Sequence, residues 1–116
     1  MKETIDINTY FADPKKGEMK MGTIVAASRI KTGKMFKLIV QFEETDIRQV
    51  ITNIGNDKFV GLGERKLEGS DLVGKELPFV TNLEPATISG FHSGGMIHVN
   101  KNADGEIDLN DKTYNV

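Results

Sequence analysis

Few side chains in this sequence have the types that do covalent or metal chemistry, and their spacing limits each of them. His92 and His98 are the two histidines, six residues apart around Ser93-Gly94-Gly95. A metal pair would need a third ligand from afar, and no acidic residue is adjacent to orient either ring. Ser93 beside His92 has the composition of a nucleophile and its base, but neighbouring side chains on a strand point to opposite faces. No cysteine is present, which excludes thiol nucleophiles, disulfides, iron–sulfur ligation and cysteine zinc sites. Gly61-Leu62-Gly63 and Gly94-Gly95 lack the strand–glycine–helix setting of a phosphate loop, and no Gly-Lys-Ser/Thr follows. The run Asn102 to Asp108 shares the acidic rhythm of a calcium loop without a properly spaced closing glutamate. Asp104-Gly105 predicts a hairpin turn there instead. The expectation is a protein with no catalytic centre, no metal and no cofactor.

The elements that would position any binding residue are strands. Phe36, Leu38, Val40 and Phe42 alternate with Met35, Lys37, Ile39, Gln41 and Glu43, which puts one apolar row on a core. Lys20 to Ile30 is rich in β-branched residues and predicts an earlier strand, with Lys31-Thr32-Gly33-Lys34 as the turn between them. Ile47 to Ile54 predicts a third strand after the acidic turn Glu43-Glu44-Thr45-Asp46. Later strands are expected at Leu77 to Leu83 and Gly95 to Val99, with a weaker one near Glu106 to Leu109. Helix is confined to Asp6 to Phe11 and to one turn at Ser70-Asp71-Leu72-Val73, capped by Ser70 and closed by Gly74. Gly55 to Gly69 predicts an exposed loop, and the tail Asn100 to Val116 is polar and expected to be partly loose.

A chain of 116 residues is one domain, 1–116, large enough for a modest core. The longest apolar runs, such as Leu38-Ile39-Val40, fall far short of the roughly 20 residues that span a bilayer. With no signal-peptide pattern at the start, the expectation is a soluble cytoplasmic protein and no membrane partner. The net charge of −2 argues against wholesale coating of nucleic acid. Its distribution is uneven. Between Lys15 and Lys37, the cations Lys15, Lys16, Lys20, Arg29, Lys31, Lys34 and Lys37 stand against Glu18 alone. Glu76, Glu84, Asp104, Glu106, Asp108 and Asp111 outweigh Lys101 and Lys112 later on. This makes either one anion-attracting side or ordinary solvated charge.

The order of the segments resembles the tRNA-binding domain family. That family includes a stand-alone bacterial tRNA-binding protein, the C-terminal appendix of methionyl-tRNA synthetases and a small chaperone-like branch. Met19-Lys20-Met21-Gly22-Thr23-Ile24-Val25 is similar to its first strand, Lys37-Leu38-Ile39-Val40 to its second and Arg48-Gln49-Val50-Ile51-Thr52-Asn53-Ile54 to its third. Leu72-Val73-Gly74-Lys75 resembles the short helix and its glycine stop. Val80-Thr81-Asn82-Leu83-Glu84-Pro85, then Gly90, Ser93 and Gly95-Met96-Ile97, resembles the family's asparagine–leucine–proline and serine–glycine–methionine block. The resemblance covers about Ile5 to Leu109 and implies an all-β fold, a five-stranded OB-fold barrel with short peripheral helical turns. Three departures stand out. Glu84, Ala86, Thr87 and Ser89 occupy positions that are usually basic. Gly33-Lys34-Met35-Phe36 replaces the usual aspartate–lysine entry to the second strand. The long C-terminal extension of the stand-alone dimeric branch has no counterpart.

Two functions follow from the resemblance. The first is non-catalytic binding of tRNA or other structured RNA, since OB folds track phosphates with cations and stack bases on aromatics. Lys34, Lys37 and Arg48 would supply charge, while Asn53, Asn82 and Ser93 would donate hydrogen bonds. With Phe36 and Phe42 in the core row, Phe91 is the candidate stacking platform, or else a core or dimer contact. The second function is a chaperone-like or protein-binding homodimer on the same fold, its RNA face decayed. Met96, Ile97 and Val99 would offer an apolar edge for pairing. An aminoacyl-tRNA synthetase or an unfolded protein is the further partner each reading brings.

Overall fold

The alternating row of Met35 to Glu43 becomes strand β2, Phe36–Glu43, in a computed structural model that describes residues 2–30 and 33–114. Lys31 and Thr32 of the expected turn lie outside the described residues. Strand β1 is Met19–Arg29, β3 is Asp46–Thr52, β4 is Glu76–Val80 and β7 is Met96–Ile97. They form one antiparallel five-stranded sheet in the order β3-β2-β1-β4-β7. The fold is the all-β, OB-like curled barrel that the resemblance implies.

β1 makes the curl. Its first half pairs with β4, from Met19 opposite Val80 to Thr23 opposite Glu76. Its second half pairs with β2, and the register slips between Ile24 and Ala26. That bulge places the extra residue Val25 outward and bends the strand so that one strand serves both walls. Gly22 sits at the tightest crossing. A Cβ there would lie 2.5 Å from Val40 Cγ1 and 2.7 Å from the Phe42 ring, so only a glycine lets β1 approach β2 this closely.

Phe36, Leu38 and Val40 point into the core and are fully buried, joined by Ile24, Val50, Leu77 and Phe79. Phe42 is half-buried, because the register of β2 against β3 slips between Gln41 and Glu43. The bulge swings its ring to the barrel's end, edge-on to Phe79 at 5.5 Å. The loop Gly55 to Gly69 departs from the expectation of full exposure. Phe59 and Leu67 within it belong to the core, and Ile107 joins them from the tail hairpin. Val60 N–H donates to Ile107 O at 2.9 Å and Ile107 N–H to Lys58 O at 2.8 Å, which clamps loop and tail together. The polar residues between these anchors hid them in the sequence.

Helix α1 covers Ile7–Ala12, with the Asp6 carboxylate accepting Thr9 N–H at 2.7 Å as its cap. Helix α2 is the single turn Gly69–Leu72. Its N-cap is Glu68, not the expected Ser70, which lies inside the turn. The box is closed by Asp71, whose carboxylate accepts Glu68 N–H at 2.8 Å, and Gly74 ends the turn at φ 87°. Two hairpins complete the fold: β5 (Ala86–Ile88) with β6 (Phe91–Ser93), and β8 (Asn100–Lys101) with β9 (Ile107–Asp108). The second turns at Asp104-Gly105 as expected, with Gly105 at φ 79°. The first was not anticipated.

Candidate nucleic-acid interface

The side chains expected to meet RNA divide by whether their polar atoms are already engaged inside the chain. Arg48 is the most heavily engaged. Its Nε and Nη2 donate to the two carboxylate oxygens of Asp46 at 2.9 and 3.1 Å. Its Nη1 donates to Thr81 O at 2.8 Å and Gly94 O at 3.1 Å, and the guanidinium lies 5.2 Å from the centre of the Phe42 ring. The side chain thus ties β3 to the end of β4 and to the link between β6 and β7.

Asn82 and Ser93 are buried. The Asn82 Oδ1 accepts Glu18 N–H at 2.7 Å, and its Nδ2 donates to Glu3 O and Lys16 O, both at 2.8 Å. This amide, with the bridge between Ile5 and Leu83, docks the N-terminal arm on the barrel. The Ser93 Oγ accepts Ile51 N–H and donates to Gly95 O, both at 3.0 Å. Gly94 N–H donates to Gln49 O at 2.8 Å beside it, so these residues close the barrel where no continuous ladder runs.

Lys34, Lys37 and Asn53 are different. Among the described residues none of these three side chains makes a hydrogen bond or ion pair within the chain. Asn53 follows β3 and is exposed, as is Lys34 before β2. Gly55 N–H donates to Lys34 O at 2.8 Å, which fixes the two strand ends side by side. Both side chains line one groove of about 410 Å³. Lys37, opposite Ile51 in the ladder, carries its ammonium 5.4 Å from the centre of the Phe91 ring. That cation–π contact brings Phe91 to the same edge and holds it next to a positive charge.

The β5–β6 hairpin presents Phe91, and sequence reasoning missed it. The signal was Ser89-Gly90, a two-residue loop between Ala86-Thr87-Ile88 and Phe91-His92-Ser93. Both turn residues take positive φ, 53° and 82°. Gln49 Nε2 donates to His92 O at 2.9 Å, pinning the hairpin to β3. His92 is exposed on this hairpin and His98 stands beyond β7. Among the described residues no three His, Asp or Glu side chains gather as a metal set.

The basic front of the sequence is also thinned by the fold. Arg29 turns inward, donating to Gly33 O, Gly55 O and Leu67 O, and lies 4.7 Å over the Phe36 ring. Lys20 lies 3.8 Å from the Glu43 carboxylate. Among the described residues of this front, Lys34 and Lys37 by β2, and Lys15 and Lys16 on the N-terminal arm, are left to face an anion.

Known proteins place this architecture. No protein-family model matches the chain. The methionine–tRNA ligase of Methanococcoides burtonii is 38% identical over 88 residues, 75% of this chain and 12% of that enzyme. That of Cytophaga hutchinsonii is 31% identical over 101 residues, 86% of this chain and 13% of the enzyme. A MetRS-related protein from Pyrococcus horikoshii superposes with a TM-score of 0.64 at 31% identity, covering 90% of this chain and 84% of that one. This chain belongs to the tRNA-binding domain family. The fold, without more, is shared with the chaperone CsaA of Bacillus anthracis, at TM-score 0.59 and 21% identity over 84% of this chain and 81% of that one. The chain spans about an eighth of the synthetases' length, so their catalytic activity is not carried over with the match.

As a tRNA-binding domain, the chain writes much of its family motif in frame residues. Asn82 and Ser93 hold barrel and arm together, and a Cβ at Gly95 would stand 3.1 Å from Val80 O. Lys37 is the motif residue whose charged group faces outward beside an aromatic ring. Among the described residues no helix is long and apolar enough to cross a membrane.

Proposed function

We propose that this domain is a non-catalytic, cytoplasmic RNA-binding module that takes tRNA on the edge formed by the ends of β2 and β3 and the β5–β6 hairpin. One observation carries the reading: among the described residues the side chains of Lys34, Lys37 and Asn53 make no hydrogen bond or ion pair and Lys37 lies by Phe91, while Arg48, Asn82 and Ser93 are committed to the frame. Lys34 and Lys37 meet phosphates, Asn53 offers an amide to a base or ribose, and Phe91 offers a ring to an unpaired base. Arg48, Asn82 and Ser93 serve the site by positioning. A filter-binding titration of bulk tRNA at two salt concentrations tests this. Lys34→Ala/Lys37→Ala is expected to lower both the affinity and the log–log salt slope; unchanged binding by this variant removes the reading.

A second reading has its own observation. Apart from Thr52, the groove holding Lys34 and Asn53 is otherwise apolar, with Ile7, Met96 and Val99 among its lining and Phe11 65% exposed. Ile7, Ile51, Ile88 and Met96 continue it into a smaller cleft of about 200 Å³ beside Glu84. The trough therefore runs from a cation to a carboxylate. A second copy laid across it by a two-fold axis would set Lys34 of each chain toward Glu84 of the other, with Phe11 filling the opposite groove. Homodimerisation is accordingly part of the proposal, and an unfolded peptide or a synthetase would compete for the same trough. Light scattering at micromolar concentration, with Phe11→Glu as the disrupting variant, decides whether the pair forms.

A further inference from the structure

The N-terminal arm bears a basic concavity apart from the β2–β3 edge. It is about 550 Å³ in volume and is lined by Lys2, Glu3, Ile5, Thr9, Lys15 and Lys16. Three lysines and a threonine line it against a single acidic residue, Glu3. Beneath the Gly55–Gly69 loop, about 590 Å³ is lined by Lys58, Arg65 and Lys66, but equally by Asp57, Glu64 and Glu106. The first has a cation excess and the second has none.

The arm's lysines are held in place by backbone contacts. Pro14–Lys16 forms one 3₁₀ turn, with the Asp13 carboxylate accepting Lys15 N–H at 3.3 Å. Lys2 Nζ donates to Lys15 O at 2.5 Å and Gly17 O at 3.0 Å, and Asn82 Nδ2 holds Lys16 O. Gly17 is buried against Tyr10, where a Cβ would come within 2.6 Å of the ring. All these bonds reach the turn through main-chain atoms of Lys15, Lys16 and Gly17. Their side chains are exposed and, among the described residues, form no ion pair. A turn fixed through its backbone, with two free ammonium groups, is preorganised for an anion.

We propose that Lys15 and Lys16, with Lys2 beside them, form a second phosphate-binding site that extends the RNA footprint around α1. The proposal rests on the RNA reading above. Helix α1 is the shared wall: Thr9 lines this concavity, whereas Ile7 and Phe11 line the groove that holds Lys34 and Asn53. A helix is about 10 Å across, a distance that a few nucleotides of backbone span. One RNA can therefore touch Lys34 and Lys37 on one side and Lys15 and Lys16 on the other.

The test uses the full chain and two probes, bulk tRNA and inorganic tripolyphosphate. Lys15→Ala/Lys16→Ala keeps every main-chain bond of the turn, so it should melt with the wild type. It should bind tRNA roughly tenfold more weakly at low salt, with a log–log salt slope shallower by about 1.5. Tripolyphosphate should shift the amide resonances of Thr9, Lys15 and Lys16 in the wild type and leave those of the variant unmoved. Wild-type behaviour of the variant toward both probes overturns the site. Tripolyphosphate binding at the arm by a wild type that ignores tRNA overturns the assignment to RNA and leaves a site for free polyphosphate. If this variant loses tRNA affinity while Lys34→Ala/Lys37→Ala does not, the β2–β3 edge fails and the arm site stands.

Discussion

The hydroxyl of Ser93 accepts the backbone N–H of Ile51 at 3.0 Å, across a separation of 42 residues, and donates its own hydrogen bond to Gly95 O. A side chain here does the work of a ladder bond and closes the barrel between β3 and the link from β6 to β7.

Ser93→Ala should therefore act on the fold before it acts on any ligand. It leaves the buried Ile51 N–H without a partner, a loss of roughly 1–3 kcal/mol. Urea unfolding of the RNA-free protein measures it. A variant as stable as the wild type would free Ser93 for the direct RNA contact that its motif position suggests.

Asn82→Ala should separate the arm from the barrel. Three main-chain groups, Glu18 N–H, Glu3 O and Lys16 O, lose a partner together. Amide hydrogen exchange should rise across residues 2–18 and stay unchanged in β2 and β3. Uniform loss of protection would place Asn82 in the global core instead.

Leu38 and Phe42 share a row in the sequence but differ in the fold, and their truncations should differ too. Leu38→Ala opens a cavity at a fully buried site and should cost about 2–5 kcal/mol. Phe42 is partly buried at a bulge, packed on the core with its ring T-shaped to Phe79, so Phe42→Ala should cost less. Equal losses in thermal unfolding would contradict the bulge.

These cases mark how far the sequence is legible. Period-two alternation names β2 because burial repeats every second residue, and β1 and β3 follow from β-branched content and turn signals. Phe59, Leu67 and Ile107 were illegible, since lone apolar residues within polar stretches carry no period. The capping role of Glu68 was hidden for a related reason: Ser70 is the commoner cap by type, and the choice between them rests on where the turn begins. The family motif was readable as a motif. Which of its polar residues face outward was not, because Arg48, Asn82 and Ser93 find partners 33 to 79 residues away in the chain. Only the closed barrel brings those partners together.

Acid should weaken the fold partly through Asp71. Hydrogen bonds from Arg65, and then from Glu68 N–H, hold its carboxyl below the ordinary range. The folded state therefore binds this proton less readily than the unfolded chain. Its contribution is complete above the unfolded value of about 3.9 and is lost as pH falls through the lower folded value. Between pH 5 and roughly pH 3, the urea midpoint of the wild type should drop more steeply than that of Asp71→Asn. Parallel curves would show that the capping box adds nothing that titrates.

The last prediction sets Lys37 against Glu84. Lys37 faces outward beside Phe91 without a carboxylate partner among the described residues, so its charge is free to displace a counterion from phosphate. Lys37→Ala should lower tRNA affinity and reduce the salt slope by just under one, alike for different tRNAs. Glu84 is exposed at the far end of the same trough, where a carboxylate repels an approaching backbone. Glu84→Lys should strengthen binding about fivefold at low salt and steepen the slope, with most of the gain gone at 0.15 M salt because exposed charges are screened there. The same substitution would place two lysines face to face across the proposed two-fold axis. A variant that binds tRNA more tightly while scattering light as a monomer would support both readings of the trough. One that leaves tRNA binding and mass unchanged would remove Glu84 from both.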